Sequence, residues 1–292
     1  MSIHTDAFAV EPLNPTIGAV IRGVDLAGPL SNTTIAEIRK ALLRHQVIFF
    51  EDQKLEPAQQ RDFAARFGSL HVHPVYPQVE GVPEVFMLDN HAGNPTDNDN
   101  WHTDVTFIET PPLGAVLYAR QLPPVGGDTI WSSMTAAYDA LSEPFRNFLS
   151  TLRAEHDFTK SFPPDLQVSQ NAGSERYDRA RREHPPVIHP VVRTHPETGR
   201  PGLFVNSGFT TRILGLKPKE SSAILEHLFQ HIAQPEFLVR WKWKPGAVAF
   251  WDNRCTQHYA VNDYLPHRRI MLRATILGDR PSFDPHAKPA AH

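Results

Sequence analysis

Apolar positions along the chain alternate between two periods. Ile35, Ile38 and Leu42 recur at helical spacing behind Ser31 and Asn32, either of which can cap a helix. Pro57 suits the first turn of a second helix, Phe63 and Phe67 share its inner face, and Gly68 ends it. Elsewhere the apolar residues come in short runs with strand character, at 17–21, 46–50, 85–88, 113–120, 129–132, 187–193, 203–206, 237–243, 247–251 and 269–277. Turn signals such as Gly126-Gly127-Asp128 and Pro245-Gly246 separate them, and helical patterns intervene only near 134–149 and 219–232. Many short strands with long connections predict a mainly β fold with helical additions: a double-stranded β-helix (jelly-roll, cupin-like), not an alternating βαβ chain. No internal repeat or boundary divides residues 1–292, so a single catalytic domain is expected. Three stretches break the pattern. Residues 71–77 carry two prolines that interrupt a ladder, 89–100 form a long polar loop, and 163–186, rich in charge and proline, reads as an inserted loop or lid.

Composition narrows the functional classes. A net charge of −3, a pI near 6.6 and the lack of a basic run exclude a nucleic-acid footprint and leave a small molecule as the expected partner. The single cysteine, Cys255, permits no internal disulfide. No apolar run approaches the ~20 residues that span a bilayer, and the first residues have neither a basic nor an apolar leader. The expectation is a cytoplasmic protein, with no membrane partner, in a compartment where thiols stay reduced.

Candidate chemistry centres on Trp101-His102-Thr103-Asp104-Val105-Thr106-Phe107. In an extended strand, His102 and Asp104 share a face and Thr103 points the other way. A second imidazole, for which His258 is the candidate, completes a two-histidine, one-carboxylate facial triad of the kind that holds Fe(II) with positions left open. Asp252 lies close enough in sequence to compete with it, although a supporting role fits it better. Downstream, Ile270, Leu272, Ala274 and Ile276 form one strand face and Arg269, Met271, Arg273 and Thr275 the other. Two guanidiniums on one face suit planar capture of two anions, although an isolated strand of this pattern also reads as a solvated surface. His45, His156, His189 and His195 have no spaced partner and read as packing or hydrogen-bonding histidines, and Trp241 and Trp243 between Lys242 and Lys244 read as strand patterning. The same donors also suit a catalytic zinc hydrolase, or a binding module without turnover.

Longer stretches are more specific. Leu43-Arg44-His45-Gln46-Val47, His73-Pro74-Val75-Tyr76-Pro77, the run from Asp97 to Pro112, Gly126-Gly127-Asp128-Thr129, Lys160-Ser161-Phe162-Pro163, the run from His189 to Pro196, Gly208-Phe209-Thr210-Thr211-Arg212 and most of 251–279 resemble the taurine dioxygenase family of Fe(II)- and 2-oxoglutarate-dependent enzymes. The resemblance implies that His102, Asp104 and His258 hold the iron, while Thr129 and Arg269 bind the distal carboxylate of 2-oxoglutarate. It implies that Arg273, His73 and the backbone of Val105 receive a sulfonate. Tyr76 and Asn98 would lie toward an amine end, with Phe162 and Phe209 as pocket walls. The implied reaction hydroxylates taurine at the sulfonate-bearing carbon using O2, giving sulfite and aminoacetaldehyde with succinate and CO2. Another alkylsulfonate or an alkyl sulfate ester would undergo the same chemistry, and a homo-oligomer is the expected assembly. Ser207 stands where the family pattern has an acidic residue, Leu272 where it has histidine, and 164–186 hardly matches.

Overall fold

The computed structural model describes all residues except 1–2, 5–7, 74–75, 97, 164–173 and 290–292. A large sheet runs in the order Ala9–Pro12, Ala19–Arg22, Val47–Phe50, Val248–Asp252, Gly114–Gln121, Arg269–Ile276, Val82–Asn90, Gln78–Val79. All of these pairings are antiparallel except Ala19–Arg22 with Val47–Phe50. A smaller sheet places Thr129–Ser133 between Leu238–Trp241 and Thr256–Ala260.

Strand alternation sorts the side chains of the large sheet into two cores. Ile48, Phe50, Val116, Tyr118, Val248, Phe250, Leu272 and Ala274 pack with Ile38 and Leu42 of the helix Asn32–His45 and with Phe63 of the helix Pro57–Ala65. Their alternating neighbours, Val47, Phe49, Ala115, Leu117, Ala249, Trp251 and Met271, pack with Trp131, Val239 and Trp241 of the small sheet. Two packed sheets with helices covering the outer face constitute the jelly-roll arrangement expected.

The helix starts follow local chemistry. Ser31 Oγ accepts the Thr34 N–H at 3.0 Å, and Pro57 opens its helix in the first turn. The pattern at 134–149 is interrupted, giving two helices, Met134–Asp139 and Glu143–Ser150, because Ser142 and Pro144 begin a new helix. Sequence reasoning also missed the strands Arg153–His156 and Thr210–Ile213, which form a third sheet with Val187–Pro190. Of the expected lid at 163–186, residues 164–173 lie outside the described residues. Ser174–Glu183 is an α-helix where a loop was expected. Its Tyr177 and Ala180 are buried against Phe158 and Phe162, so an apolar pair one turn apart anchors an otherwise charged segment.

Candidate functional site

His102 and His258 face one another across an isolated antiparallel bridge, with His102 N–H donating to His258 O at 3.1 Å and His258 N–H to His102 O at 2.9 Å. That pairing puts their rings 4.1 Å apart. Asp104 Oδ1 lies 3.7 Å from each Nε2, and one ligand atom from each of the three residues falls within 4.8 Å of the others. At 3.7 Å the groups are too far apart to hydrogen-bond one another, yet they converge as the donors of a metal site do. His102 Nδ1 faces Asn100 O at 2.8 Å, and because a carbonyl only accepts, the ring proton sits on Nδ1 and the lone pair of neutral imidazole on Nε2. Burial drives His258 well below its ordinary pKa, the Asp104 charge only partly opposing this. Burial also pushes Asp104 up, but the Arg273 guanidinium beside it overrides this and holds the carboxyl below the usual range. Neutral imidazoles and an ionised carboxylate are the forms that bind a divalent metal.

The strand alternation expected of residues 102–104 holds for that short span, where Thr103 turns away and its Oγ1 donates to Thr256 O at 2.9 Å. At Asp104 the chain enters a turn, and Val105 takes φ +54°, a left-handed conformation that a β-branched residue rarely adopts. Asn253, buried in the turn before the His258 strand, clamps this place. Its Oδ1 accepts Asp104 N–H at 2.9 Å, and its Nδ2 donates to Asp104 O at 3.1 Å and Pro112 O at 3.2 Å. Sequence reasoning missed Asn253, whose only signal was its place between Trp251 and His258.

Asp252 does not join the triad. Its two oxygens accept from Arg254 Nε at 2.9 Å and Nη2 at 2.6 Å, and His195 Nε2 donates to Oδ2 at 3.0 Å. Arg254 continues to Glu197 at 2.7 Å, and Glu197 to Arg39, also at 2.7 Å. His195, Asp252 and Cys255 could be grouped as metal donors, but His195 Nδ1 accepts the Glu197 and Thr198 N–H groups. Its proton therefore sits on Nε2, toward Asp252, and the cluster is an ion-pair brace beneath the His258 strand.

Arg269 and Arg273 project from one strand face, as expected, but that face is buried between the sheets and not solvated. Arg273 ion-pairs with Asp104 Oδ2, and its guanidinium lies 4.9 Å from the Trp251 ring centroid and 5.6 Å from that of Phe86. Arg269 Nη2 reaches Thr129 Oγ1 at 3.5 Å, and Thr129 Oγ1 also accepts Trp243 Nε1–H at 2.9 Å. Burial lowers Arg269 to about 10, with Tyr264 and Asp128 partly restoring it.

The remaining expected residues gather beside the triad. The His73 ring centroid lies 4.7 Å from Tyr76 and 6.3 Å from Phe162, and Asn98 Nδ2 donates to Tyr76 Oη at 3.3 Å. Val105, Phe162 and Phe209 share one cluster with Phe107, Phe158 and Tyr177, three members that sequence reasoning did not single out. Tyr177 Oη donates to Phe162 O at 2.7 Å, which ties the helix Ser174–Glu183 to the wall. Ser207, in place of an acidic residue, donates its hydroxyl to Trp101 O at 2.7 Å, and Leu272 is core.

A jelly roll carrying a buried His-x-Asp and a distant histidine at one point defines the metal-dependent oxygenase class of this fold. Residues 9–275 match the model of the taurine catabolism dioxygenase TauD, TfdA family, and the chain belongs to that family. It is 38% identical over 287 residues to an alpha-ketoglutarate-dependent sulfate ester dioxygenase of Pseudomonas putida, covering 95% of this chain and 92% of that protein. It is 36% identical over 280 residues to an alkylsulfatase of Acinetobacter baylyi, covering 94% and 86%. A crystal structure of a putative alpha-ketoglutarate-dependent taurine dioxygenase from Burkholderia xenovorans superimposes with a TM-score of 0.83 at 40% identity, covering 97% and 96%.

Proposed function

We propose that this chain is an Fe(II)- and 2-oxoglutarate-dependent dioxygenase that oxidises the carbon bearing a sulfate ester or sulfonate group. The observation that carries the reading is the convergence of His102, Asp104 and His258 next to two buried arginines on one strand face. His102, Asp104 and His258 hold the iron, each through one donor atom. Arg269 and Thr129 receive the distal carboxylate of 2-oxoglutarate, since a guanidinium with a neighbouring hydroxyl matches that oxyanion. Arg273, His73 and the Val105 backbone receive the sulfur oxyanion, a reading supported by the ion pair of Arg273 with Asp104, one of the three proposed metal donors. Phe162 and Phe209 exclude water from the substrate carbon. A bound iron would supply the oxidising chemistry: hydroxylation of that carbon by O2, with 2-oxoglutarate as the co-substrate converted to succinate and CO2. The hydroxylated product then collapses to an aldehyde, releasing sulfate from an ester or sulfite from a sulfonate.

The aromatic wall fits an apolar alkyl group, which favours alkyl sulfate esters and alkylsulfonates. Taurine is the second reading, supported by the hydrogen-bonded Tyr76 and Asn98, which offer polar groups to an amine. The test measures sulfate and sulfite release with hexyl sulfate, hexanesulfonate and taurine at equal concentration. Turnover of either hexyl compound ahead of taurine is expected. Preference for taurine selects the second reading, and release from none of the three refutes the class. The proposed cytoplasmic location and homo-oligomeric state are separate questions, and among the described residues no helix is long and apolar enough to cross a membrane.

A further inference from the structure

The turn that begins at Asp104 is gripped from its far side by buried polar groups that are not among the three proposed metal donors. We propose that His156, His189 and Asn206, acting on Thr106, are positioning residues that fix the Asp104 carboxylate and the Phe209 wall relative to one another. The inference rests on the metal reading of the triad. His189 Nε2 faces Thr106 O at 2.9 Å and Ile108 O at 3.0 Å, and since both are carbonyls this nitrogen must carry the proton. His156 Nδ1 lies 2.9 Å from Thr106 Oγ1, which also accepts Asn206 Nδ2–H at 3.1 Å. Asn206 Oδ1 accepts the Phe209 N–H at 2.8 Å. One asparagine side chain thus joins the segment carrying the carboxylate to the segment carrying the wall.

Strain gives this network its purpose. Val105 stands at φ +54° between Asp104 and Thr106, a conformation that persists only where the surroundings over-determine it. Asn253 holds the turn on the Asp104 side, and the histidine network holds it on the Thr106 side. With one grip removed, Val105 relaxes toward negative φ and swings the carboxylate away from the imidazoles. Glycine takes positive φ without strain, so Val105→Gly removes the force that the network resists.

The test uses the full chain with anaerobic Fe(II), and Mn(II) in parallel, measuring metal affinity by calorimetry and then the ratio of succinate to aldehyde under turnover. His189→Phe keeps the volume but removes the donor, His189→Gln restores an N–H at a similar place, and Thr106→Val removes the hydroxyl without changing shape. The expected result for His189→Phe and Thr106→Val is a loss of metal affinity of about 10- to 100-fold, with succinate formed in excess over aldehyde. His189→Gln should recover most of both quantities, and the cost of His189→Phe should shrink in the Val105→Gly background. If His189→Phe does not fold, Thr106→Val alone decides the matter. Wild-type metal affinity and coupling in the folded variants overturn the inference. Equal loss in Phe and Gln variants overturns it too, by assigning His189 to packing. Failure of the wild-type chain to bind metal instead refutes the reading of the triad.

Discussion

Replacing Arg269 with methionine should make the metal-free, ligand-free fold more stable while it destroys 2-oxoglutarate binding. Arg269 is 4% exposed, its Nε has no hydrogen-bond partner among the described residues, and its one such contact is Thr129 Oγ1 at 3.5 Å. Burial brings its pKa down to about 10, so the charged form at pH 7 costs the folded state about 3 kcal/mol relative to the unfolded chain. Methionine removes the charge and fills most of the volume, which parallels the gain seen when buried ions give way to packed apolar side chains. Imperfect packing offsets part of this, leaving roughly 1–3 kcal/mol and a rise in Tm of about 2–5 °C. Thermal unfolding of both proteins with Mn(II), with and without 2-oxoglutarate, reads the two effects together. The wild-type Tm should climb with 2-oxoglutarate because its carboxylate satisfies the buried cation, and the variant's should not. A variant that is less stable than wild type yet still responds to 2-oxoglutarate would refute the assignment of Arg269.

Other substitutions separate the remaining roles. Arg273→Gln should raise KM for the sulfur oxyanion about 100-fold, or ~3 kcal/mol, as expected for a truncated buried charge partner. The iron and 2-oxoglutarate chromophore of that variant should persist, and its loss in anaerobic titrations would contradict the separation. Asn253→Ala strands the Asp104 N–H and two carbonyls that Asn253 satisfies. It should cost about 3 kcal/mol, lowering Tm by roughly 5 °C, and weaken metal binding; unchanged values by thermal unfolding and calorimetry would show the clamp to be dispensable. Burial holds His45 and His189 down to about 4, with neighbouring Arg44 adding to the effect on His45. Each folded state therefore binds protons less readily than the unfolded chain, so stability is complete above the unfolded value near 6.5 and is lost as pH falls toward 4. Urea unfolding at pH 7.5 and 5 should show a loss of about 2 kcal/mol per histidine, and His189→Gln should remove its share.

The fold was legible where one face of an element repeats. The large sheet appears in the sequence as alternating residues, and the Arg269–Ile276 strand shows both its apolar face and its arginines. The sequence pattern could not say that the arginine face points inward, because that depends on which sheet covers it. Segments bound by long-range polar contacts were harder to read. Thr210–Ile213 pairs with Arg153–His156 across more than fifty residues, and neither strand has an apolar alternation to announce it. In the site, His102 and Asp104 were candidates through their spacing and His258 through its chemistry, and an isolated bridge sets His102 opposite His258. Asn253, His156 and His189 were not visible as parts of it, since their roles lie in bonds to backbone and hydroxyl groups of a turn far away in the chain. The helix Ser174–Glu183 was hidden by its charge, although Tyr177 and Ala180 are buried in the aromatic cluster.

The central claim is that three side chains bind ferrous iron and leave room for a chelating keto acid, and anaerobic absorption spectroscopy tests it most directly. Fe(II) followed by 2-oxoglutarate, without oxygen, should develop a visible metal-to-ligand charge-transfer band in the wild-type chain, and Asp104→Ala should remain colourless. A colourless wild-type protein, or equal colour in Asp104→Ala, would contradict the account.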